Sequence, residues 1–555
     1  MGGHTVFIVS LPFDSRTGPE IAPRPILIDA RRLTSCRHRL HLDLAHPALL
    51  DGPENKAEDA GVRQRREAAE AYRETVRAAL TAVGDGWVQI SPDVPAADAA
   101  VATLSAMAAG ATRIWNAVLP SELDTGRRGR AELLIRDDAH GGYIPVVVVN
   151  HKVTDPRAES IEGGAAPAVT SGLFEWNPQE DRLRKVRPQL RDQLRLVHVY
   201  RMLQRHGWAS PKPVGGAIGF GFDCVLVHDL STSFDEYDRR FADRIAVARG
   251  EAQTAPSNIP ECRSCPWWSR CSARLVEARD VSVVAPGSRA EVLRGVGVTT
   301  IDQLAGWVGP APEEWQHGEF GDAVVTAKAW LAGLPLVRRV PQVRVQRADV
   351  EVDVDMESYQ EHGAYLWGTL LNVDGRSEYR AFATWDPVPT LDEARSFAEF
   401  WNWLMRVRAH AVASGRTFAA YCYSRSAEDK WLLDSARRFA GMPGVPSVDE
   451  IRGFIDGPEW VDIYQAVSDQ FICPNGKGLK KVAPVAGFSW RDDEASGEAS
   501  MSWYREAVGY EGDEPNLGER VRLLEYNEDD VNATKVLREW MDTRADLEIP
   551  YAADL

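Results

Sequence analysis

The clearest alternation in the chain is VEVDVDMES, residues 350–358. Val350, Val352, Val354 and Met356 fall on one face of a period-two segment, and Glu351, Asp353, Asp355 and Glu357 on the other. The spacing predicts a strand, and taken alone it also suits a solvated edge strand. From about residue 348 onward the pattern is α/β. GAYLWGTLL (363–371) predicts a second strand antiparallel to the first. AAYCYSRSAEDKWLL (419–433) predicts a strand running into a helix, and RLLEYNEDDVNATKVLREW predicts a C-terminal helix.

The N-terminal half has a different texture. ILIDARRLTSCRHRLHLDLA (26–45) predicts a strand end and then a helix, with Asp29 as N-cap. Residues 61–83 carry apolar positions at near-helical spacing, and the Ala-rich run 97–110 predicts a helix between Pro95 and Gly110. GGYIPVVVVNHKVTDP predicts a β-branched strand. Residues 182–205 read as one basic helix, with Pro188 suited to a first turn and Leu190, Leu194 and Val197 turned inward. Eight Arg or Lys stand against one Asp in that window, which suits either a solvated face or contacts to phosphates. GVGVTTIDQL, within 287–308, reads as a glycine turn between two short helices, either half of a helix–hairpin–helix or a plain connector. The stretch 335–347 reads as a linker.

Composition bounds the answer without choosing it. A chain of 555 residues implies two or three domains, and 44% hydrophobic residues provide ample core. No apolar run is long enough to span a bilayer, and MGGHTVFIVSLPFDSR lacks the features of a secretion signal, so a cytoplasmic location without membrane contact is expected. The net charge of −17 gives no global attraction to nucleic acid, so any such binding must use local basic patches.

Seven cysteines, an odd number, suit a reducing compartment better than a disulfide framework. Three of them, Cys262, Cys265 and Cys271, stand at C-x2-C-x5-C spacing in CRSCPWWSRC, and Cys36 lies far upstream in TSCRHRLHL. Four thiolates suit an iron–sulfur cluster or zinc, and buried unliganded cysteines are the plain alternative. The lone early cysteine with the later triplet resembles the iron–sulfur staple of RecB-type nucleases, including the CRISPR-adaptation nucleases. The resemblance implies a 4Fe-4S cluster on Cys36, Cys262, Cys265 and Cys271. Such a closure is worth on the order of 5 kcal/mol by analogy with disulfides. Trp267 and Trp268 beside it suit packing or base stacking.

The same resemblance implies a restriction-endonuclease-like core over 113–155, with Glu132 at the family's first acid. The acid-x-Lys pair of the next strand would fall at Val147 and Val149, both apolar. Asn150-x-Lys152 is the nearest substitute, so Glu132 and Lys152 form a second, altered site. Gln193 and Tyr200 are its candidate substrate contacts.

In the C-terminal half, the Asp355-x-Glu357 strand and the later Tyr526-x-x-x-Asp530 helix resemble the tyrosine-containing branch of the DEDD exonucleases, which have a ribonuclease-H-like fold. The resemblance implies Asp355, Glu357 and Asp530 as ligands of Mg²⁺ or Mn²⁺, Glu428 as the acid of the second motif, and Tyr526 as the residue that orients the attacking water. Asp353 and Asp529 are the alternatives for register, and Asp462 and Lys480 are substrate-side candidates.

The whole chain resembles a RecB-like nuclease family with an iron–sulfur N-terminal half fused to a DEDD exonuclease domain. The expected organisation is a RecB-like iron–sulfur domain over 1–280, a helix–hairpin–helix-like connector over 281–340, and a ribonuclease-H-like 3′–5′ exonuclease domain over 341–555. The implied function is metal-dependent cleavage of single-stranded or branched DNA from 3′ ends in genome maintenance. The alternatives are an RNA 3′ exonuclease and a catalytically silent nucleic-acid-binding adaptor.

Overall fold

The computed structural model describes residues 25–47, 60–83, 86–157, 166–494, 496–510 and 512–555. The N-terminal stretch 1–16, read above for a secretion signal, lies outside them. The chain divides into two compact units, Met1–Ala48 with Glu67–Thr254 and Leu49–Arg66 with Ala255–Leu555.

The first unit is built on a mixed sheet of nine strands in the order β1-β2-β3-β4-β8-β9-β6-β7-β5. These strands are β1 (Trp87–Gln89), β2 (Arg113–Glu122), β3 (Arg127–Arg136), β4 (Tyr143–Val148), β5 (Thr154–Pro156), β6 (Pro167–Ser171), β7 (Gln179–Val186), β8 (Val214–Ile218) and β9 (Val225–Asp229). Its helices are α1 (Arg37–Ala45), α2 (Ala60–Thr81) from Glu67 onward, α3 (Ala96–Ala108), α4 (Leu190–Arg205) and α5 (Phe234–Ala248). Asp29 does act as an N-cap, but of a 3₁₀ turn, Ala30–Leu33, where its side chain accepts from the Arg31 amide at 2.9 Å.

The single basic helix expected over 182–205 is two elements. Residues up to Val186 belong to β7, largely exposed, and α4 begins at Leu190. Pro188 explains the break: it disfavours helical backbone in the residue before it, and the segment before it has no 3.6-residue apolar period. Past the proline that period exists, and Leu194, Leu196, Val197 and Tyr200 pack with Val147, Val149 and Leu226 in the core.

The second unit begins with the cysteine-bearing turns and helix α6 (Trp268–Glu277). Three helices follow, α7 (Ser288–Gly295), α8 (Ile301–Ala305) and α9 (Phe320–Leu331), around a small core of Leu293, Ile301, Leu304 and Phe320. Gly297, between α7 and α8, has φ +84°, which is why the turn there carries glycine. The stretch read as a linker is part of the packed structure. Val337 and Arg338 form β10, paired with β16 (Phe471–Ile472), and Leu336, Val337 and Val343 are buried.

The main sheet of this unit has the order β13-β12-β11-β14-β15. These are β11 (Val350–Tyr359), β12 (Gly363–Val373), β13 (Arg376–Ala383), β14 (Phe418–Cys422) and β15 (Trp460–Asp462). Strand β11 is central, antiparallel to β12 and parallel to β14, so the edge-strand reading does not hold. One face is covered by α10 (Asp392–Ala413), α11 (Arg425–Arg438) and α12 (Val448–Ile455). Here Val350, Val352, Val354 and Met356 meet Phe397, Phe400, Leu404, Trp431 and Ile451. The remaining helices are α13 (Ile463–Gln470), α14 (Leu479–Val482), α15 (Gly497–Val508), α16 (Leu517–Thr543) and α17 (Ala545–Glu548), with α16 packed on β11 and β12. The acidic face of β11 is therefore covered rather than solvated: Glu351, Asp353 and Glu357 are all buried.

Candidate active site

A strand that places one acid every second residue against a helix concentrates negative charge in a low-dielectric space. Asp355 and Glu357 come from β11, and Asp530 comes from α16. One carboxylate oxygen of each lies within 4.8 Å of the others. Tyr526 stands one helical turn before Asp530 on α16. Glu428, in the first turn of α11, is buried, and its Oε2 has no hydrogen-bond partner.

The electrostatics follow from this crowding. Burial, then the charges of Asp530, Glu357 and Glu428, raise the Asp355 carboxyl well above the usual carboxylate range. Burial and Asp530 push Glu357 up to about 8, against a Ser500 hydroxyl that donates to its Oε2 at 3.0 Å. Burial pushes Glu428 up to about 8 as well. Asp530 is raised by burial and partly offset by Lys480 and by the Trp490 indole, which donates to its Oδ1 at 2.6 Å. Desolvation in turn lowers the Lys480 ammonium. Its Nζ lies 3.2 Å from the Tyr526 hydroxyl and 4.4 Å from the centre of that ring.

Four clustered carboxylates with raised proton affinity, one with an orphaned oxygen, form a donor set that fits hard divalent cations. Asp355, Glu357 and Asp530 would be the direct ligands, and Glu428 borders the same charge cluster.

The alternatives for register have other partners. Asp353 is wholly buried and paired with Arg538 at 2.7 Å. Asp529 accepts from the Arg491 side chain and backbone amide, each at 2.8 Å. Asp462 serves as the N-cap of α13: its carboxylate accepts from the amides of Ser424, Arg425 and Gln465 at 3.1–3.3 Å. That ties the end of β15 to the start of α11, so its carboxylate serves the corner that presents Glu428.

The second expected site is not assembled in the same way. Glu132 on β3 is ion-paired with Arg195 of α4. Val147 and Val149 are buried in the core beneath that helix, and Asn150 and Lys152 are exposed beyond the strand. Tyr200 is a core residue whose hydroxyl donates to the Ser210 carbonyl at 2.8 Å, and Gln193 accepts from Ser233 at 3.1 Å. Cys262 lies in the 3₁₀ turn Pro260–Ser264, Cys265 directly follows it, and Cys271 is on α6. Trp267 is a core residue with 1% of its surface exposed, which favours packing over stacking.

Sequence reasoning missed Asn527, Trp490 and Ser500, which contact the acids. Only Asn527 had a local signal, its place inside the Tyr-x-x-x-Asp motif.

The sheet order and the acid cluster make this a candidate metal-dependent site. Residues 444–542 match the RNase_H_2 family of the RNase H superfamily, a span that holds Tyr526, Asp530 and Lys480. The C-terminal region thus carries a ribonuclease-H-like domain, which suggests nuclease-type activity on a nucleic acid. No curated protein matches the chain by sequence. Among the described residues, no helix is long and apolar enough to cross a membrane.

Proposed function

We propose that the protein is a divalent-metal-dependent 3′–5′ exonuclease acting on DNA in genome maintenance, with Asp355, Glu357, Glu428, Tyr526 and Asp530 as its site. The observation that carries this reading is the triad of half-buried Asp355 with buried Glu357 and Asp530, whose donor oxygens lie within 4.8 Å of one another and whose Asp530 stands one helical turn from Tyr526. The DNA assignment, the polarity and the repair role rest on the resemblance of the Asp-x-Glu and Tyr-x-x-x-Asp motifs to the DEDD exonucleases.

Hydrolysis of a phosphodiester needs a nucleophilic water at neutral pH and a clamp on the leaving 3′ oxygen. Paired divalent cations, when bound, supply the charge for both. The protein's own part is orientation. Asp355, Glu357 and Asp530 hold the cations, and Glu428 adds a further carboxylate. Burial and the surrounding acids keep the Tyr526 hydroxyl protonated. It accepts from Lys480 and turns its own proton toward the Asp530 carboxylate, so the ammonium and the acid together orient it beside the cation site.

For the N-terminal half we propose a 4Fe-4S cluster on Cys36, Cys262, Cys265 and Cys271, serving DNA gripping rather than cleavage. Its support is the cysteine spacing and the location of three of the thiols on one short stretch, a 3₁₀ turn and the first turn of the helix that follows. Glu132 and Lys152 are its altered second site.

The test uses full-length, anaerobically purified protein, 5′-labelled single-stranded DNA and RNA, and Mn²⁺. The expected result is a ladder shortening from the 3′ end of DNA that disappears in Asp355→Ala, from brown protein with about four irons per chain. Cleavage confined to RNA would make it an RNA exonuclease. Binding without cleavage would make it an adaptor, and full activity in Asp355→Ala would remove the site assignment.

A further inference from the structure

Asp355 sits in the middle of β11, directly opposite Gly368 of β12. A Cβ on Gly368 would stand 1.5 Å from Oδ1 and 2.5 Å from Cγ of Asn527. Gly368 is not in the left-handed region and makes no turn, so backbone conformation does not demand glycine there. The demand is for space: the amide of Asn527 fills the volume that a side chain at 368 would occupy.

The amide is fully buried and used at both ends. Its Nδ2 donates to Asp355 Oδ2 at 2.7 Å, and its Oδ1 accepts from the Tyr379 hydroxyl at 2.8 Å. The tyrosine fixes which way the amide points. With its oxygen held by Tyr379, its N–H faces the carboxylate and not the reverse. A carboxylate is acceptor-only when ionised, and asparagine is a short side chain that offers a donor to it and an acceptor to tyrosine at once.

We infer that Asn527, seated on Gly368 and oriented by Tyr379, is a positioning residue that fixes the rotation of the Asp355 carboxylate for metal binding. The inference rests on the metal-site reading above and extends it to residues that the family motifs do not include. An uncharged donor holds Asp355 without neutralising it, so the carboxylate keeps its full charge for a cation. A lysine or arginine in this place would compete with the metal. Partners that orient a metal ligand in this way commonly account for 10- to 100-fold in metal affinity.

The test is Mn²⁺ binding followed by the electron paramagnetic resonance of the free ion, with a thermal melt of each variant to confirm folding. Asn527→Ala and Gly368→Ala are each expected to weaken Mn²⁺ binding by roughly 10- to 100-fold. The double variant should be no weaker than Asn527→Ala, because the methyl at 368 then enters vacated space. Tyr379→Phe should weaken binding less than Asn527→Ala. Should Gly368→Ala not fold, a folded double variant would support the interlock and an unfolded one would overturn it. Unchanged Mn²⁺ affinity in Asn527→Ala, or losses that add in the double variant, would overturn the inference alone. Wild-type protein that binds no Mn²⁺ would overturn the metal site itself, and the inference with it.

Discussion

Arg538 Nη2 donates to Asp353 Oδ2 at 2.7 Å, and neither side chain has any exposed surface. The same guanidinium pairs with Glu351 and lies 3.9 Å from the centre of the Tyr421 ring. Arg347 closes the set with two hydrogen bonds to Glu351, at 2.7 and 3.0 Å. Arg538 stands eight residues after Asp530 on α16, a little over two helical turns, so one helix face meets the whole acidic row of β11. The row is divided by what that helix offers. Glu351 and Asp353 receive fixed guanidinium groups, whereas Asp355 and Glu357 receive another acid.

The consequence for the first pair is structural dependence on Arg538. Burial raises the Glu351 carboxyl, but Arg347 and Arg538 outweigh it and hold it down at about 2. At Asp353 burial wins, and the carboxyl is raised to about 6. Arg538→Met would leave Glu351 with Arg347 but strand the buried Asp353 carboxylate, and breaking a buried pair in this way costs about 3–5 kcal/mol. Urea unfolding of the full chain should show that loss at neutral pH. A shift in midpoint no larger than that of an exposed Arg→Met control would refute it.

The acids of the candidate site, Glu357 and Glu428, predict a stability that falls as pH rises. Glu357 and Glu428 have folded-state values of about 8, whereas an unfolded glutamate titrates near ~4.3. Their contribution is complete below the unfolded value and is lost as pH rises to the folded one, because over that interval the native state holds protons that the unfolded chain has already released. Metal-free protein should therefore melt progressively lower between about pH 5 and pH 8, and less steeply in Glu357→Gln. Divalent cations need the ionised carboxylates and displace their protons. The stabilisation produced by Mn²⁺ should accordingly grow over the same interval. A metal-free melting temperature with the same pH slope in wild type and Glu357→Gln would count against this account.

Much of the C-terminal site was legible because its signals are local. The two-residue period of β11 and the four-residue spacing of Tyr526 and Asp530 each lie within one element. What was not legible depends on distant pairings. The alternation in β11 is equally that of an edge strand. Only its place between β12 and β14, and the arrival of Arg538 from 185 residues away, make it central and buried. Gly368 in GAYLWGTLL reads as a weak strand residue until Asn527 is seen in its space. Asp462 read as a substrate-side acid because capping of α13 and the amides of Ser424 and Arg425 cannot be inferred from its neighbours. In the first unit, charge hid a boundary: eight cations in one window read as one surface, although Pro188 separates a strand from a helix.

The first unit's acid predicts an absence of effect. Glu132 is engaged by Arg195, and the positions that would complete an acid-x-Lys pair, Val147 and Val149, are buried in the core. Arg195 also lies 4.0 Å from Asp192, so it keeps an acidic partner when Glu132 is neutralised, and a partly exposed ion pair contributes little beyond about 1 kcal/mol. Glu132→Gln and Lys152→Ala should each leave Mn²⁺-dependent cleavage of single-stranded DNA at the wild-type rate, measured in protein with its iron intact. A loss of cleavage that persists with unchanged iron content would restore this region as a second cutting site.

Lys480 and Tyr526 yield the sharpest kinetic prediction. The ammonium is lowered by desolvation yet drawn by Asp530, Glu357 and Asp355, so it is a fixed cation at the mouth of an otherwise acidic group. Its 3.2 Å bond takes up a lone pair of the Tyr526 oxygen and fixes the direction of that hydroxyl. Lys480→Met keeps the length and apolar packing of the stem but removes the donor. If the hydroxyl's orientation serves the reacting water, turnover should fall by roughly 100-fold, the lower end of the range for loss of one positioned hydrogen-bonding group. Mn²⁺ affinity should not weaken, since a positive charge near the carboxylates has been removed rather than added. Tyr526→Phe should lower turnover similarly, and the double variant Lys480→Met/Tyr526→Phe should be little worse than Tyr526→Phe alone, because both changes break the same contact. Independent, multiplying losses in the double variant would mean that Lys480 acts on the substrate phosphate directly rather than through the tyrosine.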